Sequence, residues 1–178
     1  MREYRILFAS GPDGPGIVHR VSAFLFDRGC NMEDSRMAVL GGQFAMMLLF
    51  SGEPAGVARL EGDLSGLTAE SGLKAELLPA QAPTAVEPEP ALPVRVELVA
   101  MDAPGIMVRL ADILRRLRVN IDSLESHLAP APASGTSISS VKLRIAVPRD
   151  VSPVAVKEEL TRLATDINID ILFQPVQE

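Results

Sequence analysis

Apolar residues change their period several times along the chain, and each change marks an element. Val94, Val96 and Leu98 alternate with Arg95 and Glu97, the pattern of a half-buried strand. After Pro104-Gly105, the positions Ile106, Leu110, Ile113, Leu114 and Leu117 recur three and four apart, which predicts a helix ending near Val119-Asn120. A strand follows from Ile121 to about Leu128, then a loop, Pro-Ala-Pro-Ala-Ser-Gly at 130–135. In the next strand Val141, Leu143, Ile145 and Val147 alternate with Lys142, Arg144 and Ala146. Pro153 stands where a helix can begin, and Val156, Leu160, Leu163 and Ile167 form its stripe. Ile169 to Val176 is the last strand.

The first half reads in the same order. A strand Tyr4–Ser10 precedes a helix buried through Ile17, Val21, Phe24 and Leu25. Strands Met32–Leu40 and Phe44–Phe50 flank Gly41-Gly42, which suits the positive φ of a tight hairpin turn. Pro54 opens one helix carrying Val57, Leu60, Leu64 and Leu67, and Leu73–Leu78 closes the unit. Phe44 to Phe50 is apolar at nearly every position, which predicts burial on both faces and hence cover for the sheet. The βαββαβ order predicts an α+β, ferredoxin-like fold, with two helices on one face of a four-stranded antiparallel sheet.

The two halves are copies. Asp13-Gly14-Pro15-Gly16-Ile17 recurs as Asp102-Ala103-Pro104-Gly105-Ile106, and Arg20, Leu25 and Asn31 recur as Arg109, Leu114 and Asn120, always 89 positions on in a chain of 178. Five prolines between Pro79 and Pro93 mark the junction as a semi-rigid extended linker. The expected organisation is a first domain over 1–79, a Pro-rich linker over 80–92 and a second domain over 93–178.

Composition narrows the function classes. Hydrophobic residues make up 47% and charged residues 22%, enough apolar material for packed cores. A net charge of −6 lacks the basic footprint of phosphate-backbone binding, so no direct nucleic-acid contact is expected. The single cysteine, Cys30, forms no internal disulfide and no multi-thiolate metal site. The start of the chain runs into only four apolar residues, Ile6 to Ala9, against about 7–15 in a secretory signal, and the longest apolar run, Phe44 to Phe50, is far short of the roughly 20 residues of a membrane helix. A soluble cytoplasmic protein without cofactor, metal or membrane partner is expected.

Chemistry concentrates at the repeated D-x-P-G, where the first strand of each unit hands over to its first helix. A helix N-terminus leaves about four N–H groups without intrahelical partners, and the macrodipole adds positive potential. Pro15 or Pro104 fits the first turn, Gly16 or Gly105 admits close approach, and Asp13 or Asp102 caps the helix or faces an ammonium group. Such a turn can hold a carboxylate. The same residues serve equally as a tight turn with a helix cap and no ligand.

The stretch D-G-P-G-I-V, followed by Cys30–Met46 with N-M-E-D-S-R and L-G-G-Q-F, resembles the glycine cleavage system transcriptional repressor family, built from two tandem ACT domains. The resemblance covers essentially the whole chain. It implies a non-enzymatic regulatory protein that binds a small amino acid, glycine by analogy, at domain interfaces and controls a protein partner such as a transcription factor. By that resemblance the ligand-contacting residues are Asp13, Gly14, Pro15, Gly16, Ile17 and Val18, with Asn31 and Met32. Their second-repeat counterparts are Asp102, Pro104, Gly105, Ile106, Asn120 and Ile121. That half departs from the pattern, since Met32-Glu33-Asp34-Ser35 becomes Ile121-Asp122-Ser123-Leu124. The alternative is a ligand-independent protein-interaction module. Apolar strands and edge pairing also allow a homodimer.

Other residues read as structural. His19 is a surface residue with ligand contact as the second reading, and His127 lacks companions for a metal. Cys30 is a small buried residue without a nucleophile's partners. Glu33 and Asp34, adjacent on a strand, point to opposite faces, which argues against a paired-carboxylate site. Arg109, Arg115, Arg116 and Arg118 form a solvated face or one for an acidic partner. Met37, Met46 and Met47 read as core filler, with an adaptable interface as the alternative.

Overall fold

The structure is a computed structural model, which describes residues 2–83, 90–101, 105–130 and 137–176. It divides into two compact units, Met1–Glu87 and Pro88–Glu178. The first runs β1 (Glu3–Pro12), α1 (Ile17–Phe26), β2 (Cys30–Leu40), β3 (Gln43–Gly52), α2 (Pro54–Gly62), α3 (Leu64–Ser71) and β4 (Lys74–Ala80). The second runs β5 (Ala91–Met101), α4 (Ile106–Arg116), β6 (Asn120–Pro130), β7 (Ser137–Pro148), α5 (Pro153–Asp166) and β8 (Asp170–Pro175). The sheets are antiparallel, in the orders β2-β3-β1-β4 and β6-β7-β5-β8. Both are ferredoxin-like α+β units, and the duplicated topology agrees with the duplicated sequence.

Alternation places Leu7, Ala9, Phe44, Met46, Leu48 and Phe50 against the helices, where they meet Ile17, Val21, Leu25, Val57, Leu60 and Leu67. Val94, Val96, Leu98, Leu143 and Ile145 do the same against Leu110, Leu114, Val156 and Leu160. Burying such a side chain contributes about 1.5–3 kcal/mol, so these two clusters dominate the stability of the units. Pro153 opens α5, and the Ser152 hydroxyl caps it by accepting from the Ala155 amide at 3.4 Å. Gly41 and Gly42 turn the β2–β3 hairpin at φ +57° and +76°.

Four details differ from the sequence reading. The second helical segment of the first unit is two helices, because the backbone leaves helical geometry at Asp63, φ −97° and ψ 5°. The α4 helix stops at Arg116, with Leu117 capping and Arg118 at φ +56°. The linker expected over 80–92 is shorter, since Ala80 closes β4 while Ala91 and Leu92 open β5; residues 84–89 lie outside the described set, as does most of the 130–135 loop. Finally, β3 is not buried on both faces. Ala45, Met47 and Leu49 occupy the side away from the helices and are exposed or half-exposed. Met46 is core, as expected, but Met37 and Met47 are 52% and 43% exposed. Pro79 and Pro175 sit on β4 and β8, the outer strands of their sheets, where a missing N–H breaks no ladder.

Candidate functional site

Each unit turns from its first strand into its first helix through a left-handed glycine. Gly16 has φ +84°, ψ 3°, and Gly105 has φ +88°, ψ 1°. The Gly16 carbonyl accepts from the Arg20 amide at 3.0 Å and the Gly105 carbonyl from the Arg109 amide at 3.1 Å. No Cβ is accommodated without strain at such a φ, so glycine is required here by the backbone itself. Among the described residues neither helix start carries a side-chain cap. The expected capping role of Asp13 is therefore not taken up, and the first-turn donors of α1 have no carboxylate of their own. Asp13 is tethered elsewhere, its N–H donating at 2.9 Å to the Gly42 carbonyl of the hairpin turn. Asp102 and Pro104 lie outside the described residues.

Side chains of the helix starts divide between core and solvent. Ile17 and Ile106 are buried, whereas Val18 is exposed and Gly14 half-buried. Met32 and Ile121 pack against the edges of their cores. Asn31 and Met32 line a cleft of about 430 Å³ with His19, Ser22 and Phe26 of α1 and with Cys30, but none of Asp13 to Val18 lines it. The candidate residues of the first repeat thus form two groups, a turn and a cleft wall. His19 is exposed, at the rim of that cleft.

A feature not read from the sequence links the repeats. In β2 the pairing slips after Met32, so Asp34 rather than Glu33 stands opposite Leu49. In β6 it slips at the matching place, with Ser123 rather than Asp122 opposite Arg144. Both slips are β-bulges that insert one acidic residue two positions after an asparagine. Asn31 Nδ2 donates to Glu33 at 3.4 Å, and Asn120 Nδ2 donates to Asp122 at 2.9 Å. Ser51, fully buried, also donates to Glu33. The Ser51 bond first, then the Asn31 bond, holds the Glu33 carboxyl below its ordinary value. Glu33 and Asp34 do not point to opposite faces as strict alternation requires. The bulge puts both on the side of Ser51 and Leu49. With its NH₂ committed, each asparagine keeps its Oδ1 as an acceptor next to a carboxylate, a pairing suited to an ammonium group.

Of the remaining candidates, Cys30, Arg115, Arg116 and Arg118 are accounted for by packing and ion pairs, while Arg109 and His127 are exposed. Burial pushes the Cys30 thiol up, against the opposing pull of Arg59, Arg2 and Arg28. Arg115 and Arg116 pair with Asp112, and Arg118 pairs with Asp150 at 2.7 Å. Among the described residues no group of three or more His, Cys, Asp or Glu could hold a metal ion, and no helix is long and apolar enough to cross a membrane.

Residues 3–77 match the ACT domain family, so the first unit is an ACT domain, and the second repeats its βαββαβ fold. The likeness to one kind of ACT protein extends much further. The chain is 27% identical over 169 residues to the glycine cleavage system transcriptional repressor of Escherichia coli K12, covering 94% of this chain and 87% of that one. The same identity and coverage hold for the repressor of Shigella flexneri. The crystal structure of an unknown protein from Galdieria sulphuraria superimposes with a TM-score of 0.81 at 28% identity, over 99% of this chain and 100% of the other. A second crystal structure, provisionally described as a glycine cleavage system transcriptional repressor, superimposes with a TM-score of 0.74 at 21% identity, over 100% and 99% of the two chains, which shows the shared fold. The chain thus carries an ACT domain match in its first unit, repeats that fold in its second, and is similar along nearly its whole length to the glycine cleavage system transcriptional repressors.

Proposed function

We propose that the chain is a non-enzymatic, cytoplasmic regulatory protein that binds a small amino acid at its ACT domain interfaces and controls a partner protein. Glycine is the first ligand to test and a transcriptional regulator of glycine cleavage the partner, both on the strength of the related repressors. The single observation that carries the reading is the twinned pair of helix starts opened by the left-handed glycines Gly16 and Gly105, with no side-chain cap among the described residues. Their amides suit the carboxylate of an amino acid. Asn31 with Glu33, and Asn120 with Asp122, supply the acceptors for its ammonium group from a neighbouring ACT domain across the interface. Within one unit the two sides are too far apart, because Asn31 pairs with Ser51 while the helix start follows Pro12, which pairs with Gln43 eight residues away along β3. Asp13, Gly14, Pro15 and Val18 complete the helix-start side of the first site, with Ile17 packed beneath it, and Met32 belongs with Asn31 to the asparagine side. In the second repeat Asp102, Pro104, Gly105 and Ile106 are the helix-start residues, and Asn120 with Ile121 the asparagine side. Binding acts by population shift, to the extent that the ligand's affinity differs between two states of the protein.

Titration calorimetry of the full chain against the common amino acids tests this reading. Asn31→Ala should weaken binding by about 1.5–3 kcal/mol, the range for a hydrogen bond to a charged group. Absence of heat with every amino acid, from folded protein, overturns it. A second reading, a ligand-independent interaction module, is favoured by the exposed apolar side of the first sheet. Capture of the partner that is indifferent to amino acids would select it.

A further inference from the structure

Helices that end on a left-handed residue normally place glycine or asparagine there, because other side chains crowd their own backbone. The chain keeps to this at Gly29 after α1, Gly72 after α3 and Asn168 after α5, with φ of +71°, +72° and +52°. Arg118 after α4 departs from it, at φ +56°. The turn itself is ordinary, with the Val119 amide donating to the Leu114 carbonyl at 2.9 Å. The first repeat uses glycine at the same place, since Gly29 lies 89 positions before Arg118. Packing does not hold the arginine there either, because its side chain is 75% exposed. A strained residue kept in solvent, where an unstrained one serves its twin, points to a role for the guanidinium.

Other arginines stand at the same end of the second unit. Arg115 donates to Asp112 at 2.8 Å, Arg116 pairs with the same carboxylate at 3.3 Å, and Arg118 pairs with Asp150 at 2.7 Å. Arg149, beside Asp150 in the turn between β7 and α5, is exposed and has no partner among the described residues. Three arginines thus share two carboxylates, and a fourth is unmatched. In the first repeat Phe26, Asp27 and Gly29 stand where Arg115, Arg116 and Arg118 do. Its Arg28, in the place of Leu117, is committed to the Phe24 ring and to Asp63. A helix C-terminus favours cations in its last turn, which accounts for Arg115 and Arg116 but not for Arg118 or Arg149 beyond it. We propose that this corner of the second unit is a docking surface for an acidic segment of a partner protein. The existing pairs do not block it, since exposed ion pairs are weak and exchange for a partner's carboxylates. Each guanidinium offers a carboxylate two parallel N–H donors, so a few closely spaced Asp or Glu side chains complement the corner. Duplex nucleic acid is the poorer match, because its binding commonly rests on about 6–10 phosphate contacts along a track.

Fluorescence anisotropy of a labelled poly-L-glutamate peptide, titrated with the full chain in about 0.1 M salt, where charges are screened beyond about 10 Å, tests the surface. Binding is expected, and Arg116→Glu should weaken it by about tenfold, because an attraction becomes a repulsion. Arg144→Glu makes the same change of net charge on the side of the second sheet away from its helices, and should weaken binding by no more than about twofold. Arg118→Gly separates a role in binding from one in the fold. It should weaken binding by about threefold or more, yet leave the urea midpoint no lower, because glycine accepts the left-handed turn freely. Far-UV circular dichroism follows that midpoint and establishes that the variants are folded. Absence of peptide binding overturns the proposal, as does a loss with Arg144→Glu equal to that with Arg116→Glu. A urea midpoint lowered by Arg118→Gly makes the arginine structural and overturns it too, and so does tighter binding of a short DNA duplex than of the peptide. The titration contains no amino acid, so its failure leaves the reading of the helix starts standing.

Discussion

Replacing Gly56 by alanine probes how closely α2 is seated on the start of β2. A Cβ there would stand 2.6 Å from the Arg28 carbonyl oxygen and 3.8 Å from Cys30 Sγ. Carbon and oxygen rest about 3.3–3.6 Å apart even in their closest favourable contacts, so roughly 0.7–1 Å of movement must be found. Arg28 does not yield easily. Its guanidinium lies 3.8 Å from the Phe24 ring centroid, and it donates to the Phe24 carbonyl at 3.0 Å and to Asp63 at 3.1 Å. Helix propensity favours alanine over glycine by up to about 1 kcal/mol, while overpacking costs about 1–3 kcal/mol. A contact this short belongs in the upper half of that range, so the net is a loss of about 1–2 kcal/mol. Gly66 of α3 is the control, because a Cβ there meets nothing within 4 Å. Gly66→Ala should gain about 0.5–1 kcal/mol. The assay is provided by composition. The chain has no tryptophan and one tyrosine, Tyr4 in β1, so tyrosine emission follows unfolding of the first unit. With a urea slope of about 2 kcal/mol per molar, Gly56→Ala should lower the midpoint by about 0.5–1 M. A midpoint equal to or above that of the unaltered chain would refute the steric argument, most clearly if Gly66→Ala rises as expected.

Two further outcomes follow from the ionisable groups of the first unit. In an NMR titration Glu33 should titrate below 4.5, and Ser51→Ala should raise its midpoint more than Asn31→Ala does. Because its folded value is depressed, the stability it contributes is present above 4.5 and is lost as pH falls through the lower folded value. Acid unfolding of the first unit should therefore begin at higher pH in Ser51→Ala. Cys30, buried and with its thiol pushed up by that burial, should react with a thiol reagent only as fast as the first unit opens. Rapid labelling of the folded chain would contradict the burial, and labelling that tracks Tyr4 emission across the urea transition would support it.

The elements were legible because the cores obey simple periods. Leu7 and Ala9, or Val94, Val96 and Leu98, face helices whose own apolar residues recur three and four apart. What escaped did so for physical reasons. Leu60, Leu64 and Leu67 keep a helical spacing across the break at Asp63, so period alone joins α2 to α3. In Phe44–Phe50 every position is apolar, and nothing local separates the packed residues from Ala45, Met47 and Leu49. The bulges at Glu33 and Asp122 arise from a slip between strands, which an alternation rule cannot contain. A signal was nevertheless present, since Asn31-x-Glu33 recurs as Asn120-x-Asp122 at the common repeat distance. At the helix starts, D-x-P-G located the turn, while the left-handed φ of Gly16 and Gly105 displaced the cap expected from Asp13.

The rims of both sheets carry interruptions of two kinds, a slipped register in β2 and β6 and an imino acid in β4 and β8. A foreign strand seeking to extend either ladder by main-chain bonding meets a distortion on one flank and a missing donor on the other. Side-by-side growth into ribbons is thereby discouraged, and contact through side chains is the form of assembly this architecture tolerates.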